Sequence, residues 1–242
     1  MNLIIDVGNT RNKIAVFDDG QMLYQDVYTS SEVKEALLYI TVHFPKVDRC
    51  IISASGKLNE NDLALLKREY KVHELSHKSN IPFENLYTTP TTLGVDRIAL
   101  IAGAALKFPK NNVLVIDAGS AITYDFLNSE NEYLGGAISP GLFMRYKALN
   151  EFTANLPLLK SEFPKTFVGN STNNAIHVGV ILGTIDEIDG AISRYKEQYA
   201  DLTIILTGGD TDFLRDRLKN DIFANSKFLL EGLNYILEQN ND

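Results

Sequence analysis

Short apolar runs, each broken by an aspartate and a glycine, set the rhythm of this chain. Leu3 to Ile5 is one such run, ending in Asp6-Val7-Gly8-Asn9-Thr10, and Lys13 to Phe17 follows it before the turn residues Asp18-Asp19-Gly20. That order predicts a strand, a polar turn and a returning strand. Thr29-Ser30-Ser31-Glu32 has the spacing of a helix capping box, and Val33, Ala36, Leu37 and Ile40 continue at helical spacing. Cys50-Ile51-Ile52 predicts a strand closed by Ser53-Ala54-Ser55-Gly56, with a second helix starting near Asn61. Residues 79–94, rich in Pro, Thr and Asn, read as a loop, and a helix over about Val95 to Leu106 follows.

After Pro109-Lys110-Asn111-Asn112 the pattern restarts. Val113 to Ile116 is an apolar run broken by Asp117-Ala118-Gly119-Ser120, and Ile122 to Phe126 returns. Leu134-Gly135-Gly136-Ala137-Ile138-Ser139-Pro140-Gly141 reads as strand and turn; helical patterns fill 142–154 and 172–198. Leu202 to Leu206 predicts a last strand, ending in Thr207-Gly208-Gly209-Asp210, with two short helices closing the chain. Ile5-Asp6-Val7-Gly8 thus recurs as Ile116-Asp117-Ala118-Gly119, roughly half a chain later. The repeat predicts two similar α/β domains, residues 1–109 and 110–242.

Composition narrows the partners. The chain has 242 residues, 45% hydrophobic and 22% charged, enough for a sizeable core. Its net charge of −8 gives no electrostatic footprint for nucleic acid, and no basic run suggests a membrane surface. One cysteine, Cys50, excludes a disulfide within the chain and suits a reducing compartment. With no signal peptide at MNLIIDVGNT and no apolar stretch near the ~20 residues that span a bilayer, the expected location is the cytoplasm.

An acidic protein that binds phosphate must do so locally. A strand–turn–strand can offer backbone N–H groups to phosphate, and Gly8 and Gly119 would allow close approach. Asn9, Thr10 and Ser120 can add side-chain hydrogen bonds, and Lys13 can neutralise phosphate charge. Asp6 and Asp117 make sense as cation ligands, direct or through water, because Mg²⁺ favours carboxylate and water oxygens. Thr207-Gly208-Gly209-Asp210 suits close packing against a nucleoside, although alone it reads as an ordinary strand–helix turn.

Taken together, the two Asp-Gly turns and the later glycine loop resemble the actin-like ATPases, which implies a duplicated ribonuclease-H-like fold, two similar domains around a nucleotide cleft. Further motifs narrow the likeness. Asp6-Val7-Gly8-Asn9-Thr10-Arg11-Asn12-Lys13 is similar to the DxGNTxxK phosphate loop of type III pantothenate kinases. Gly94-Val95-Asp96-Arg97 matches that family's GxDR; Asp117-Ala118-Gly119-Ser120-Ala121-Ile122-Thr123 resembles its DxGTAxT; and Gly135 to Gly141 matches GGxIxPG. The resemblance implies ATP-dependent phosphorylation of pantothenate to 4'-phosphopantothenate, the first step of coenzyme A biosynthesis. It implies Asp96 as general base, with Tyr87, Gly94, Val95, Arg97 and Thr172 at the pantothenate site. ATP would meet residues 6–13 and Ser120, Asp6 would serve Mg²⁺ through water, and Asp117 would hold a monovalent cation, K⁺ or NH₄⁺. A homodimer is implied as well. Ser120 stands where the family usually has Thr, keeping the hydroxyl and losing a methyl group.

The residues alone leave plainer alternatives. Asp96 could merely cap its helix, with Arg97 a solvated charge. Another actin-like enzyme, such as a sugar or acetate kinase, and a non-enzymatic regulator are the competing functions; three retained carboxylates, Asp6, Asp96 and Asp117, speak against the regulator. Cys50 reads as a buried small hydrophobe, His177 as packing, surface or pocket lining, and Asp186-Glu187-Ile188-Asp189 as a solvated helix face.

Overall fold

The computed structural model describes residues 1–8, 11–56 and 58–240. In chain order the elements are β1 (Asn2–Val7), β2 (Asn12–Asp18), β3 (Gln21–Tyr28), α1 (Val33–His43), β4 (Arg49–Ala54), α2 (Glu60–Glu69), β5 (Lys71–Glu74), β6 (Glu84–Asn85) and α3 (Val95–Lys107). Then come β7 (Val113–Ala118), β8 (Ala121–Leu127), β9 (Glu132–Pro140), α4 (Leu142–Glu151), α5 (Thr172–His177), α6 (Gly183–Gln198), β10 (Thr203–Thr207), α7 (Thr211–Leu214), β11 (Phe223–Ala224) and α8 (Phe228–Gln239). A π-helical turn, Val178–Leu182, joins α5 to α6, so the predicted 172–198 helix is one interrupted run.

The chain forms two compact units: Met1–Pro109 with Asn131–Tyr133 and Lys227–Asp242, and Lys110–Glu130 with Leu134–Ser226. In the first, the strand order is β3-β2-β1-β4-β5, antiparallel from β1 to β3 and parallel from β1 through β4 to β5. In the second, β9, β8, β7, β10 and β11 follow in the same order, with β7–β8 antiparallel and β7–β10–β11 parallel. One topology, written twice, is the architecture that the internal repeat led us to expect.

The alternation of a strand explains which residues are free for chemistry. Leu3, Ile5 and Val7 of β1 join Val33, Ala36, Leu37 and Ile40 of α1 in one core cluster. Each such side chain, fully buried, contributes roughly 1.5–3 kcal/mol. Asp6 therefore points to the opposite face. Leu114, Ile116 and Ala118 enter the core of the second unit with Ile204 and Leu206, leaving Asp117 and Thr207 on the other face of their strands.

The hairpin between β2 and β3 turns at Asp19 and Gly20, both with positive φ (48° and 74°), as a type I′ turn demands. The Asp-Gly pair is visible in the sequence, yet β3 is not: its residues alternate between exposed and half-buried, so no apolar run marks it. The capping box at Thr29 is half realised. Glu32 Oε2 accepts from the Thr29 N–H at 2.8 Å, but no side chain caps α1 in return.

Candidate active site

In the first unit, Asp6 ends β1 with 7% of its surface exposed. It stands in register with Lys13 across the antiparallel pair and with Ser53 across the parallel pair. Burial pushes its carboxyl up to about 6; the Lys13 ammonium opposes that, the Asp96 carboxylate adds to it, and the nearby Ser53 hydroxyl opposes it. Asp6 and Asp96 are thus close enough to feel each other's charge, although Asp96 lies far along the chain at the start of α3. Among the described residues, no three His, Cys, Asp or Glu side chains gather as a metal cage. Two carboxylates with a lysine nearby suit Mg²⁺, which is usually held by one or two carboxylates plus phosphate and water.

The turn after Asp6 is closed by its own glycine: the Gly8 N–H donates to the Arg11 carbonyl at 3.2 Å. A Cβ at Gly8 would lie 2.7 Å from that oxygen, so the position excludes side chains. The Val7 carbonyl accepts from the N–H groups of Ser55 and Gly56 at 3.0 and 2.8 Å, pinning the strand end. Asn12 is 1% exposed, and its Oδ1 meets no hydrogen-bond partner among the described residues. Such a buried, unpaired acceptor beside a candidate phosphate loop is costly unless something binds. Arg11 is exposed and Lys13 half-buried. Asn9 and Thr10 lie outside the described residues.

Asp96 is half-buried, and its Oδ1 accepts from the Arg97 N–H at 2.8 Å. The same oxygen lies over Gly94, where a Cβ would fall 2.4 Å away and would require the Asp96 carboxylate to shift. Val95 starts the helix, half-buried. The reading of Arg97 as a solvated charge is corrected, since it is 5% exposed. Its guanidinium carbon sits 5.6 Å from the centre of the Tyr87 ring. Tyr87 stacks on Tyr133 at 6.1 Å, and its N–H donates to Asn85 Oδ1 at 3.0 Å. The structure thus brings Tyr87, Gly94, Asp96 and Arg97 together. β6, the short strand preceding Tyr87, pairs with Glu132 and Tyr133, a link that no sequence pattern announced.

In the second unit, Asp117 is enclosed by glycines. Gly208 adopts φ +98°, and a Cβ there would meet Asp117 Oδ1 at 2.3 Å and the Ala118 carbonyl oxygen at 2.4 Å. The Asp210 N–H donates to that same carbonyl at 2.9 Å, and Thr211 Oγ1 donates to the Gly208 carbonyl at 2.8 Å. Burial raises the Asp210 carboxyl above its usual range. Gly119 closes its own turn, donating to the Ala121 carbonyl at 3.0 Å. Gly141 packs under it: a Cβ there would lie 2.2 Å from the Gly119 oxygen. Three separated motifs therefore converge on the loop that follows Asp117. Ser120 is exposed at the tip. We expect Gly208→Ala to cost 2 kcal/mol or more, through positive φ and steric clash, and Gly209→Ala, which meets nothing within 4 Å, under about 0.5. Denaturant titration of both variants checks the contrast.

Thr172 opens α5, exposed, with Ser171 Oγ accepting from the Asn174 N–H at 3.3 Å just before it. His177 is buried, 2.8 Å from the Tyr146 hydroxyl, and Cys50 is fully buried as expected. The solvated-face reading of residues 186–189 is corrected at two positions. Asp189 is 7% exposed and accepts from the Lys219 N–H and the Asn220 side chain. Glu187 accepts from Arg145 at 2.5 Å, Ser139 at 2.5 Å and Tyr124 at 2.9 Å, tying α6 to the glycine-rich strand. Only Asp186 is exposed.

Known proteins resemble the chain in sequence and in fold. Residues 2–194 match the family model described as type III pantothenate kinase. A type III pantothenate kinase of Flavobacterium johnsoniae is 48% identical over 233 residues, covering 96% of both chains. One from Christiangramia forsetii is 47% identical over 240 residues, covering 99% of both. Among solved structures, a protein from Campylobacter jejuni described as a Baf family transcriptional activator superposes with a TM-score of 0.62 at 23% identity, covering 99% of this chain and 98% of that one. A Listeria monocytogenes protein described as an N-acetylmannosamine kinase gives 0.57 at 13% identity, covering 100% and 99%. The structural likenesses show the fold, the duplicated ribonuclease-H-like architecture shared with sugar kinases. Matched over most of its length by the family's model, and nearly half identical to members from end to end, the chain belongs to the type III pantothenate kinase family.

Proposed function

We propose that the protein phosphorylates pantothenate with ATP, giving 4'-phosphopantothenate for coenzyme A biosynthesis. Phosphoryl transfer needs positioning, neutralisation of charge and a carboxylate that accepts the hydroxyl proton. The observation that carries the reading is the pair Asp6 and Asp96, two carboxylates in electrostatic contact, one beside a lysine and one at a helix start. Asp96 takes the proton from the pantothenate hydroxyl. Arg97, stacked over Tyr87, offers its planar fork to the pantothenate carboxylate, with Gly94 and Val95 beside it, and the family likeness assigns Thr172 to pantothenate as well. Lys13 and the loop of Val7, Gly8, Asn9, Thr10, Arg11 and Asn12 receive the phosphates, and the family likeness assigns Ser120 to ATP as well.

Mg²⁺, when bound, offsets the charge that builds on the transferring phosphoryl group. Asp6 would hold it through water, and the unpaired Asn12 oxygen, an acceptor, suits a cation close by. Asp117, enclosed by glycine backbone, is the proposed seat of a K⁺ or NH₄⁺ ion. The exposed apolar side chains Ile138, Phe143 and Met144 give a homodimer a surface to use. No described helix is long and apolar enough to cross a membrane, and the proposed compartment is the cytoplasm, where both substrates are made.

The test is ATP-dependent phosphorylation of pantothenate by the purified protein with Mg²⁺, in K⁺ or in Na⁺. Phosphopantothenate formed faster in K⁺ is the expected result. A folded protein that makes none in either ion, yet consumes ATP on another alcohol, overturns the assignment.

A further inference from the structure

Ser53 has entered the site so far only as a neighbour of Asp6. It is 0% exposed at the end of β4, in parallel register with Asp6. Cys50 and Ile52 of the same strand enter the core shared with α1, so alternation puts Ser53 on the face that carries Asp6. Neighbouring strands lie about 4.7–4.9 Å apart, which sets a serine hydroxyl within a small rotation of the carboxylate beside it. Yet Ser53 Oγ meets no partner within hydrogen-bonding geometry among the described residues. No strict hydrogen bond is formed, yet the hydroxyl lies near enough to Asp6 to lower its carboxyl as a donor does. Buried hydroxyls without partners are uncommon and costly, and one at this place calls for a reason.

The second unit repeats the device. Thr207, 1% exposed, ends β10 in parallel register with Asp117. Ile204 and Leu206 enter the core there, so Thr207 shares the face of Asp117 as Ser53 shares that of Asp6. The flanking sequences, Ile52-Ser53-Ala54 and Leu206-Thr207-Gly208, agree in nothing else than an apolar residue and a hydroxyl. A hydroxyl has thus been kept at the one position, in each unit, that abuts the strand-end carboxylate.

We infer that Ser53 is a positioning residue for Asp6, its hydroxyl donating to the carboxylate when Mg·ATP is seated and fixing the rotamer that the hydrated metal needs. A hydroxyl that donates to a carboxylate makes a hydrogen bond stronger than one between neutral groups. Ser53 touches neither the acceptor hydroxyl nor the phosphoryl group, so its influence runs through Asp6 alone. The inference rests on the reading of Asp6 as the residue that serves Mg²⁺.

The experiment compares Ser53→Ala, Ser53→Thr and Asp6→Asn with the natural protein. Equilibrium binding of Mg²⁺ with a non-hydrolysable ATP analogue is read by calorimetry, alongside kcat, both KM values and Tm. Ser53→Ala removes one oxygen and opens no space worth filling, so the fold should survive with Tm unchanged or higher. Its Mg·nucleotide Kd should rise about tenfold or more, the scale of a hydrogen bond to a charged group, and KM for pantothenate should not change. Ser53→Thr keeps the hydroxyl and should bind within about threefold of the natural protein. A Ser53→Ala protein that binds Mg·nucleotide normally, while Asp6→Asn binds it poorly, overturns the inference and leaves the role of Asp6 standing. A lowered Tm with unchanged binding assigns Ser53 a structural role only and also overturns it. If Asp6→Asn binds normally too, the reading of Asp6 falls and this inference falls with it.

Discussion

Asp96→Asn should lower kcat by about 10²–10⁴-fold, the usual worth of a positioned general base. The amide has the size of the carboxylate and can still accept from the Arg97 N–H, so the start of α3 and the close packing on Gly94 should persist. What it lacks is a site for the proton that leaves the pantothenate hydroxyl. Because Arg97 and Tyr87 are untouched, pantothenate affinity measured by calorimetry should stay within about threefold. Initial rates of ADP release, followed with the natural protein alongside, give the comparison. A variant that retains a tenth of the turnover would remove Asp96 from the chemistry and return it to the part of a helix-end residue.

Asp6→Asn should separate stability from activity. In the empty protein the Asp6 carboxyl is pushed up to about 6 from 3.8, chiefly by burial. Between about pH 4 and pH 6 the folded chain therefore keeps a proton that the unfolded chain has released. Stability is full below that window and falls as pH rises through it. At pH 7.5 the ionised group costs the fold on the order of 2–3 kcal/mol, at about 1.36 kcal/mol per unit. Asn cannot ionise, so the variant should unfold at higher denaturant concentration at pH 7.5, and the fall in stability between pH 4 and 6 should disappear. Turnover should drop at least about 10²-fold, as the carboxylate proposed to serve Mg²⁺ is gone. By the same linkage, Mg·ATP should bind the natural protein more weakly as pH falls below about 6. A destabilised Asn variant, or one with near-normal turnover, contradicts this account. A charge kept where the fold resists it is a mark of function.

Much of this was legible from the chain because the fold is repeated and its repeats start on the same signal. The Asp-Gly turns, the register of β1 with β2 and of β7 with β8, and the helix over Val95–Lys107 all follow from local pattern. The motif Gly94 to Arg97 marks Asp96 as a candidate, but it does not show that Arg97 is buried. β3 and β5 escaped notice since edge strands are half-exposed and carry no apolar run. The convergence of Gly141 and Gly208 on the loop of Asp117 was illegible for another reason. It joins residues far apart in the chain, and only a backbone in three dimensions shows that a Cβ would strike an oxygen there. Ser53 and Glu187 were missed likewise: each gains its meaning from a neighbour on another element, Asp6 for one and Arg145 for the other.

The closing helix has a consequence for how the protein is made. α8 belongs to the same unit as β1, and it crosses α3 so closely that a Cβ on Gly232 would lie 2.0 Å from the Ala99 carbonyl oxygen. Leu229, Leu230, Leu233, Ile236 and Leu237 are buried with it. A ribosome finishes residues 1–109 early, then spends roughly ten seconds on the stretch up to Lys227, at about 5–20 residues per second. All that while, the unit holding Asp6 and Asp96 waits with the seat of α8 uncovered, whereas the later unit already has its strands and helices. The part of the chain translated first is thus the last to be finished, and a nascent chain stalled before residue 228 carries both carboxylates without the helix that completes their scaffold.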